Sequence, residues 1–204
     1  MVIATVNSEH TPTIYPSGSH GQKVLKLAPA NNSSGFSTYK NPEYRFEISY
    51  PAEWQKIEFS EGIERSQRKI VANFLSSPEG SSDNFRDYII VEVSGLQPTY
   101  QLADYVNHQV DNYMELFQGF RLIESELSLP NIPGNKSDGK RESTLSDSEI
   151  VFTYDDPLAG TIKIIELYFQ NKDKVYILSL HSGIRNYDIY LPIIKRMAES
   201  FLIT

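Results

Sequence analysis

The chain is 204 residues long, with 19 basic and 26 acidic side chains, a formal net charge of −7, four histidines and no cysteine. That length suits one full-sized domain, and the missing cysteine excludes disulfides, thiolate nucleophiles, Cys-based zinc or iron–sulfur sites and Cys-linked lipid anchors. No apolar run approaches the ~20 residues of a membrane-spanning helix, and the acidic balance argues against general nucleic-acid binding, which needs clustered positive charge.

Residues 1–35 are rich in Ser, Thr, Asn, Pro and Gly, with Glu9, Lys23 and Lys26 as the only charges and Tyr15 as the only aromatic residue. This composition is too poor in apolar side chains to offset the entropy of ordering, so it reads as a flexible tail ahead of a domain at 36–204. Met1-Val-Ile-Ala lacks the basic and long apolar regions of a secretory signal. The tail resembles the spacer that follows a removed signal, so export to the extracellular medium or cell surface is expected, with a cytoplasmic location as the alternative. Sequons at Asn31, Asn32 and Asn135 are compatible with export.

Phe36–Tyr39 and Tyr44–Tyr50 read as a hairpin around an Asn-Pro turn, with Tyr44, Phe46, Ile48 and Tyr50 on one face. Pro51 ends it, and Trp54, the only tryptophan, covers one end of the core. Ile70–Leu75 and Asp87–Val93 are the next strands. Thr99 caps a helix to about Phe117, in which Leu102, Tyr105, Val106, Val110, Tyr113, Met114 and Phe117 keep helical spacing. Gly119 ends this helix, Phe120–Leu129 is a strand, and 130–146 is a long polar loop. Ile150–Tyr154, Thr161–Phe169 and Lys174–His181 follow as a meander. A second helix spans about Tyr187–Phe201, with Pro192 near its first turn. Short connections between strands require antiparallel pairing. The expected domain is α+β: an antiparallel sheet of six to eight strands with two long flanking helices.

The segment Gly35–Trp54, in which two short strands about an Asn turn lead through Tyr50-Pro51 to Trp54, resembles the opening of the PsbP family. The strand Lys174–Leu180 and the helix Tyr187–Phe201 resemble that family's closing elements, and Thr99–Tyr105 resembles its helix start. The resemblance covers about 36–204 and is nearest to the PsbP-like proteins of non-photosynthetic archaea. It implies an α/β/α sandwich with a central antiparallel sheet, shared with the Ran-binding Mog proteins. It implies no catalytic motif.

Candidate site residues are few. The resemblance makes His181 with loop carboxylates a candidate divalent-cation set, and Asp155 and Asp156, with Asp147 and Glu149 close before them, are candidates for calcium, although no D-x-D-x-D-G spacing is present. His10 and His20 fall in the tail, and His108 falls on the polar side of the first helix. Arg65, Arg68 and Lys69 read as a solvated strand edge that discourages stray pairing. Tyr39 and Tyr50 could present an aromatic patch to a partner. No G-x-S-x-G elbow, phosphate-binding glycine loop or H-E-x-x-H pair occurs. The expected protein is a non-enzymatic, monomeric accessory module without a cofactor, exported, and docking on a protein partner in a larger surface or membrane-associated complex. One alternative is a small-molecule or metal-binding protein, or an enzyme, with a pocket between sheet and helix and loop 130–146 as its lid. Another is a cytosolic adaptor like the Mog proteins.

Overall fold

The computed structural model describes residues 35–65, 68–78, 85–127 and 146–204. The expected tail, apart from Gly35, and the polar loop over 130–145 lie outside the described residues.

In chain order the elements are β1 (Phe36–Asn41), β2 (Phe46–Pro51), β3 (Gln55–Arg65), β4 (Arg68–Leu75), β5 (Tyr88–Gly95), α1 (Leu102–Leu116), β6 (Arg121–Leu127), β7 (Ser148–Asp156), β8 (Gly160–Asn171), β9 (Lys174–Gly183), α2 (Tyr187–Glu199) and β10 (Leu202–Ile203). Seven strands form one antiparallel sheet in the order β3-β4-β5-β9-β8-β7-β6, and β1-β2-β10 form a smaller one. The predicted hairpin is present, with Tyr39 opposite Ile48 and Asn41 opposite Phe46.

Strand alternation sends successive side chains to opposite faces of the large sheet. Leu178, Leu167 and Val151 share one face with Tyr187, Ile194 and Met197 of α2 and with Phe46 and Ile48 of the small sheet. Ile177, Tyr168 and Ile150 share the other with Leu102, Tyr105 and Val106 of α1. The two helices, 15 and 13 residues long, therefore lie on opposite faces, and the sheet carries two cores. Trp54 is buried against α2, its ring edge-on to Tyr190 at 5.6 Å.

Three local expectations change. The helix α1 starts after Gln101, whose backbone N–H donates to Asp104 Oδ2 at 3.3 Å, and Thr99 stands outside it. The eleven-residue β3 has no counterpart in the sequence reading. Its apolar alternation is broken around Gly62 (φ +64), and its pairing with β4 shifts register between Glu58 and Ile63. The helix α2 stops at Glu199, two residues before the expected end. Ser200 turns the chain there: its hydroxyl donates to Met197 O at 2.7 Å and accepts from Ser49 N at 2.9 Å. Leu202 and Ile203 then pair with Glu47 and Phe46 of β2, and Phe201 packs at 5.3 Å from Phe46 and 4.9 Å from Phe169. Pro192 is exposed, as is Asp188 one turn before it, so the carbonyl that proline leaves without a donor faces water.

Candidate functional site

On the α1 face, the apolar floor is interrupted by charge. In β8, Ile162, Ile164, Glu166 and Tyr168 alternate onto this face, and in β5 Ile90 and Glu92 do the same. Arg68, the first residue of β4, sits opposite Ser94 of β5 and points the same way. The three charged side chains keep only 5%, 3% and 4% of their surface for Arg68, Glu92 and Glu166. Charges so deeply buried persist only when paired and hydrogen-bonded.

They are. Arg68 Nη1 donates to Glu92 Oε2 at 3.0 Å and to Glu166 Oε1 at 3.1 Å, and Nη2 donates to Tyr168 Oη at 3.3 Å. From α1 above, Tyr113 Oη donates to Glu166 Oε1 at 2.8 Å. The Tyr168 hydroxyl donates to Glu166 Oε2, and the Ser179 hydroxyl donates to Oε1 at 3.4 Å. The rings of Tyr105, Tyr113 and Tyr168 surround the guanidinium with centroids 5.6–5.9 Å away.

Burial alone pushes the Glu166 carboxyl up. Arg68 and the Tyr168 and Tyr113 hydroxyls more than reverse this and hold it below the usual carboxylate range. Burial opposes the Arg68 charge, and Glu166, Tyr113, Tyr168 and Glu92 restore it beyond the ordinary arginine value. Burial, with Glu166 adding to it and Arg68 opposing it, drives the Tyr113 and Tyr168 phenols well above their ordinary range. At neutral pH the centre holds an ionised Arg68–Glu166 pair and two protonated tyrosines.

A cavity of about 30 Å³ lies between this floor and the second half of α1, with Arg68, Glu92, Gln109, Tyr113, Phe152 and His181 in its lining. That is room for one or two waters. Arg68 Nε, buried beside it, has no hydrogen-bond partner among the described residues. Aromatic stacking closes the far end: Tyr113 lies 4.9 Å from Phe152, and Phe117 lies 4.5 Å from Tyr154.

No family model matches the chain, and no curated protein sequence matches it. Solved structures do. The solution structure of cyanobacterial PsbP from Synechocystis sp. PCC 6803 is 13% identical with a TM-score of 0.54, over 88% of this chain and 99% of that one. The Ran-binding protein Mog1p of Saccharomyces cerevisiae is 10% identical with a TM-score of 0.51, over 84% and 96%. The chain has a PsbP/Mog-like fold. At these identities the likeness is one of architecture, and function has to be argued from the site.

Within this PsbP/Mog-like domain the sequence-nominated residues fall in separate places. His181 is 6% exposed in β9, stacked on Tyr88 at 4.6 Å and 12°. Asp155 and Asp156 end β7 on the surface. Asp155 Oδ1 accepts the Thr161 hydroxyl at 3.0 Å, and Asp156 Oδ1 accepts the Leu158 and Ala159 N–H groups at 2.8 Å, closing the turn. Among the described residues no three His, Asp or Glu side chains converge as a metal site. Tyr39 is buried at 5%, edge-on to Phe46 and Phe74, and gives a partner almost no surface. Tyr50 is half-buried against Phe74 at 4.6 Å. Ser182 donates to buried Asp87 at 2.6 Å from the face opposite His181, so the two form no Ser–His relay.

Arg68 is the correction that matters. Far from a solvated edge residue, it is the hub of the buried network, because β3 covers β4 and moves the sheet edge one strand outward. The signal that could have found its partners is in the sequence: Glu92 and Glu166 each stand inside an apolar run, Ile-Ile-Val-Glu-Val and Ile-Ile-Glu-Leu-Tyr. A carboxylate there demands a buried cation.

Proposed function

We propose that this chain is a non-enzymatic binding or accessory module that acts through its surface on a protein partner in a larger assembly. The observation that carries this reading is the state of the buried charged cluster on the α1 face. Arg68 and Glu166 are committed to each other and to Tyr113, Tyr168 and Ser179, so they hold α1 on the sheet. The cavity beside them measures about 30 Å³, whereas metabolite sites run to roughly 300–1,000 Å³. A general acid needs a carboxyl pKa near its working pH, and Glu166 is held the other way. The Ran-binding activity of Mog1p belongs to a protein of this fold, which adds support for surface recognition. The composition of residues 1–35 and the sequons at Asn31, Asn32 and Asn135 support an extracellular location for this chain.

The test is a quantitative pull-down from the solubilised membrane and soluble fractions of native cells, with unlabelled protein as competitor. A stoichiometric, competable protein partner is expected. A failure to recover one, together with a thermal shift from a metabolite library that Glu166→Gln abolishes, would make the cavity a ligand site and reverse the reading.

A further inference from the structure

The last strand of the large sheet is β6, whose only sheet partner among the described residues is β7. Its outer row of N–H and C=O groups is a template for another strand. Arg121 to Glu126 are all exposed, including Leu122 at 44% and Ile123 at 54%. Leu122 lies opposite Phe152 and so on the α1 face, and Ile123 is the extra residue of a bulge between Leu122 and Glu124. On the other face, Glu124 lies opposite Val151 and Glu126 opposite Glu149. Two glutamates directly opposite repel. Burial raises the Glu149 carboxyl above its ordinary value, Lys195 opposes the rise, and Glu126 and Glu124 add to it. Glu124, Glu126 and Glu149 therefore share one acidic field at the C-terminal half of β6, which Lys195 opposes, while Arg121 stands on the same face at the other end of the strand, opposite Thr153.

We propose that the outer edge of β6 docks an extended segment of a protein partner in which basic residues alternate with apolar ones. The alternation follows from the pleat: an added strand turns every second side chain towards Glu124 and Glu126 and the intervening ones towards Leu122 and the end of α1. Protective charges alone explain a guarded edge, but they do not explain two large apolar side chains left in water beside it. A second copy of this chain suits the edge less well, since it brings two more glutamates and another net charge of −7 to the same place. The proposal rests on the binding-module reading and names the partner's chemistry.

The experiment titrates the full chain with a capped heptapeptide of alternating lysine and valine, read by anisotropy and by amide NMR shifts. The expected result is binding with the shifts concentrated on Arg121–Leu127. The double variant Glu124→Gln, Glu126→Gln should weaken it about tenfold, the loss of two cross-strand ion pairs. A peptide N-methylated on its ladder amides, with charge unchanged, should also lose about tenfold. Equal binding of the N-methylated peptide would mean charge attraction without strand addition, and shifts elsewhere or an indifferent double variant would overturn the site. So would two states of the unliganded chain: β6 amides already protected from exchange, or a dimer by light scattering that Glu124→Lys dissociates. A native partner captured equally by wild type and double variant would sink the edge proposal and leave the binding module standing.

Discussion

At the scale of single residues, the buried centre behaves as a set in which no member is replaceable alone. Arg68→Ala strands Glu92 and Glu166 in a nearly dry interior, and breaking a buried pair in this way costs about 3–5 kcal/mol. Chemical denaturation should show that loss at neutral pH. The pH dependence has a defined sign. The folded Glu166 carboxyl titrates below its unfolded value of about 4.3. Its contribution is therefore present above that value and disappears as pH falls through the folded one. Glu166→Gln should be less stable than wild type at pH 7 and should show a shallower loss between about pH 5 and 2. Parallel acid-unfolding slopes for the two proteins would place the titration elsewhere. The centre was half legible from sequence. Two carboxylates inside apolar strands announce a buried cation, but the arginine that answers them lies 24 and 98 positions away, and no local pattern spans that distance.

At the scale of elements, alternation, apolar runs and helical spacing carry most of what could be read: β7 to β9 hold apolar runs bounded by turn residues, and the β1–β2 hairpin and both helices have a clean apolar period. The strand β3 has none, because an edge strand with a register shift has no continuous face to bury. Helix ends were equally hidden, since the stop of α2 is set by Ser200 reaching Ser49, 151 residues away. The exit from α1 is sharper. Gly119 holds φ +67, and a Cβ there would come within 2.3 Å of Asp155 Oδ2. A left-handed backbone costs a non-glycine residue about 1–2 kcal/mol. Gly119→Ala should lose at least that in equilibrium unfolding, because Asp155 must also move off Thr161. Adding Asp155→Ala should recover the clash and leave the backbone cost, and a fully additive pair would show that the two residues do not meet.

Across the whole molecule, the sheet separates two cores, and truncations on the α2 side should be costly. Phe46→Ala and Ile194→Ala each remove a side chain no more than 1% exposed, at about 3–5 and 2–5 kcal/mol. Met114→Ala, at 63% exposure, should stay within about 0.5 kcal/mol. Added calcium or zinc should leave the thermal midpoint in place, because Asp156 already serves its turn and Asp155 serves Thr161. A ligand at about 100 times its Kd would add about 2.7 kcal/mol and move the midpoint by several degrees. A shift of that size, removed by Asp155→Ala or His181→Ala, would establish a metal site. The α+β class and two-helix plan were legible because they follow from element order. The third strand of the small sheet was not, since β10 is two residues whose partner lies near the other end of the domain.

That pairing has a consequence in time. Synthesis proceeds at roughly 5–20 residues per second. The β1–β2 hairpin leaves the ribosome early, yet α2 and β10, which complete the cover of Phe46, are made only after every other described strand. For about eight to thirty seconds the nascent chain carries an uncapped aromatic ribbon. Any chaperone engagement during translation is expected in that window, which closes when Phe201, Leu202 and Ile203 reach β2.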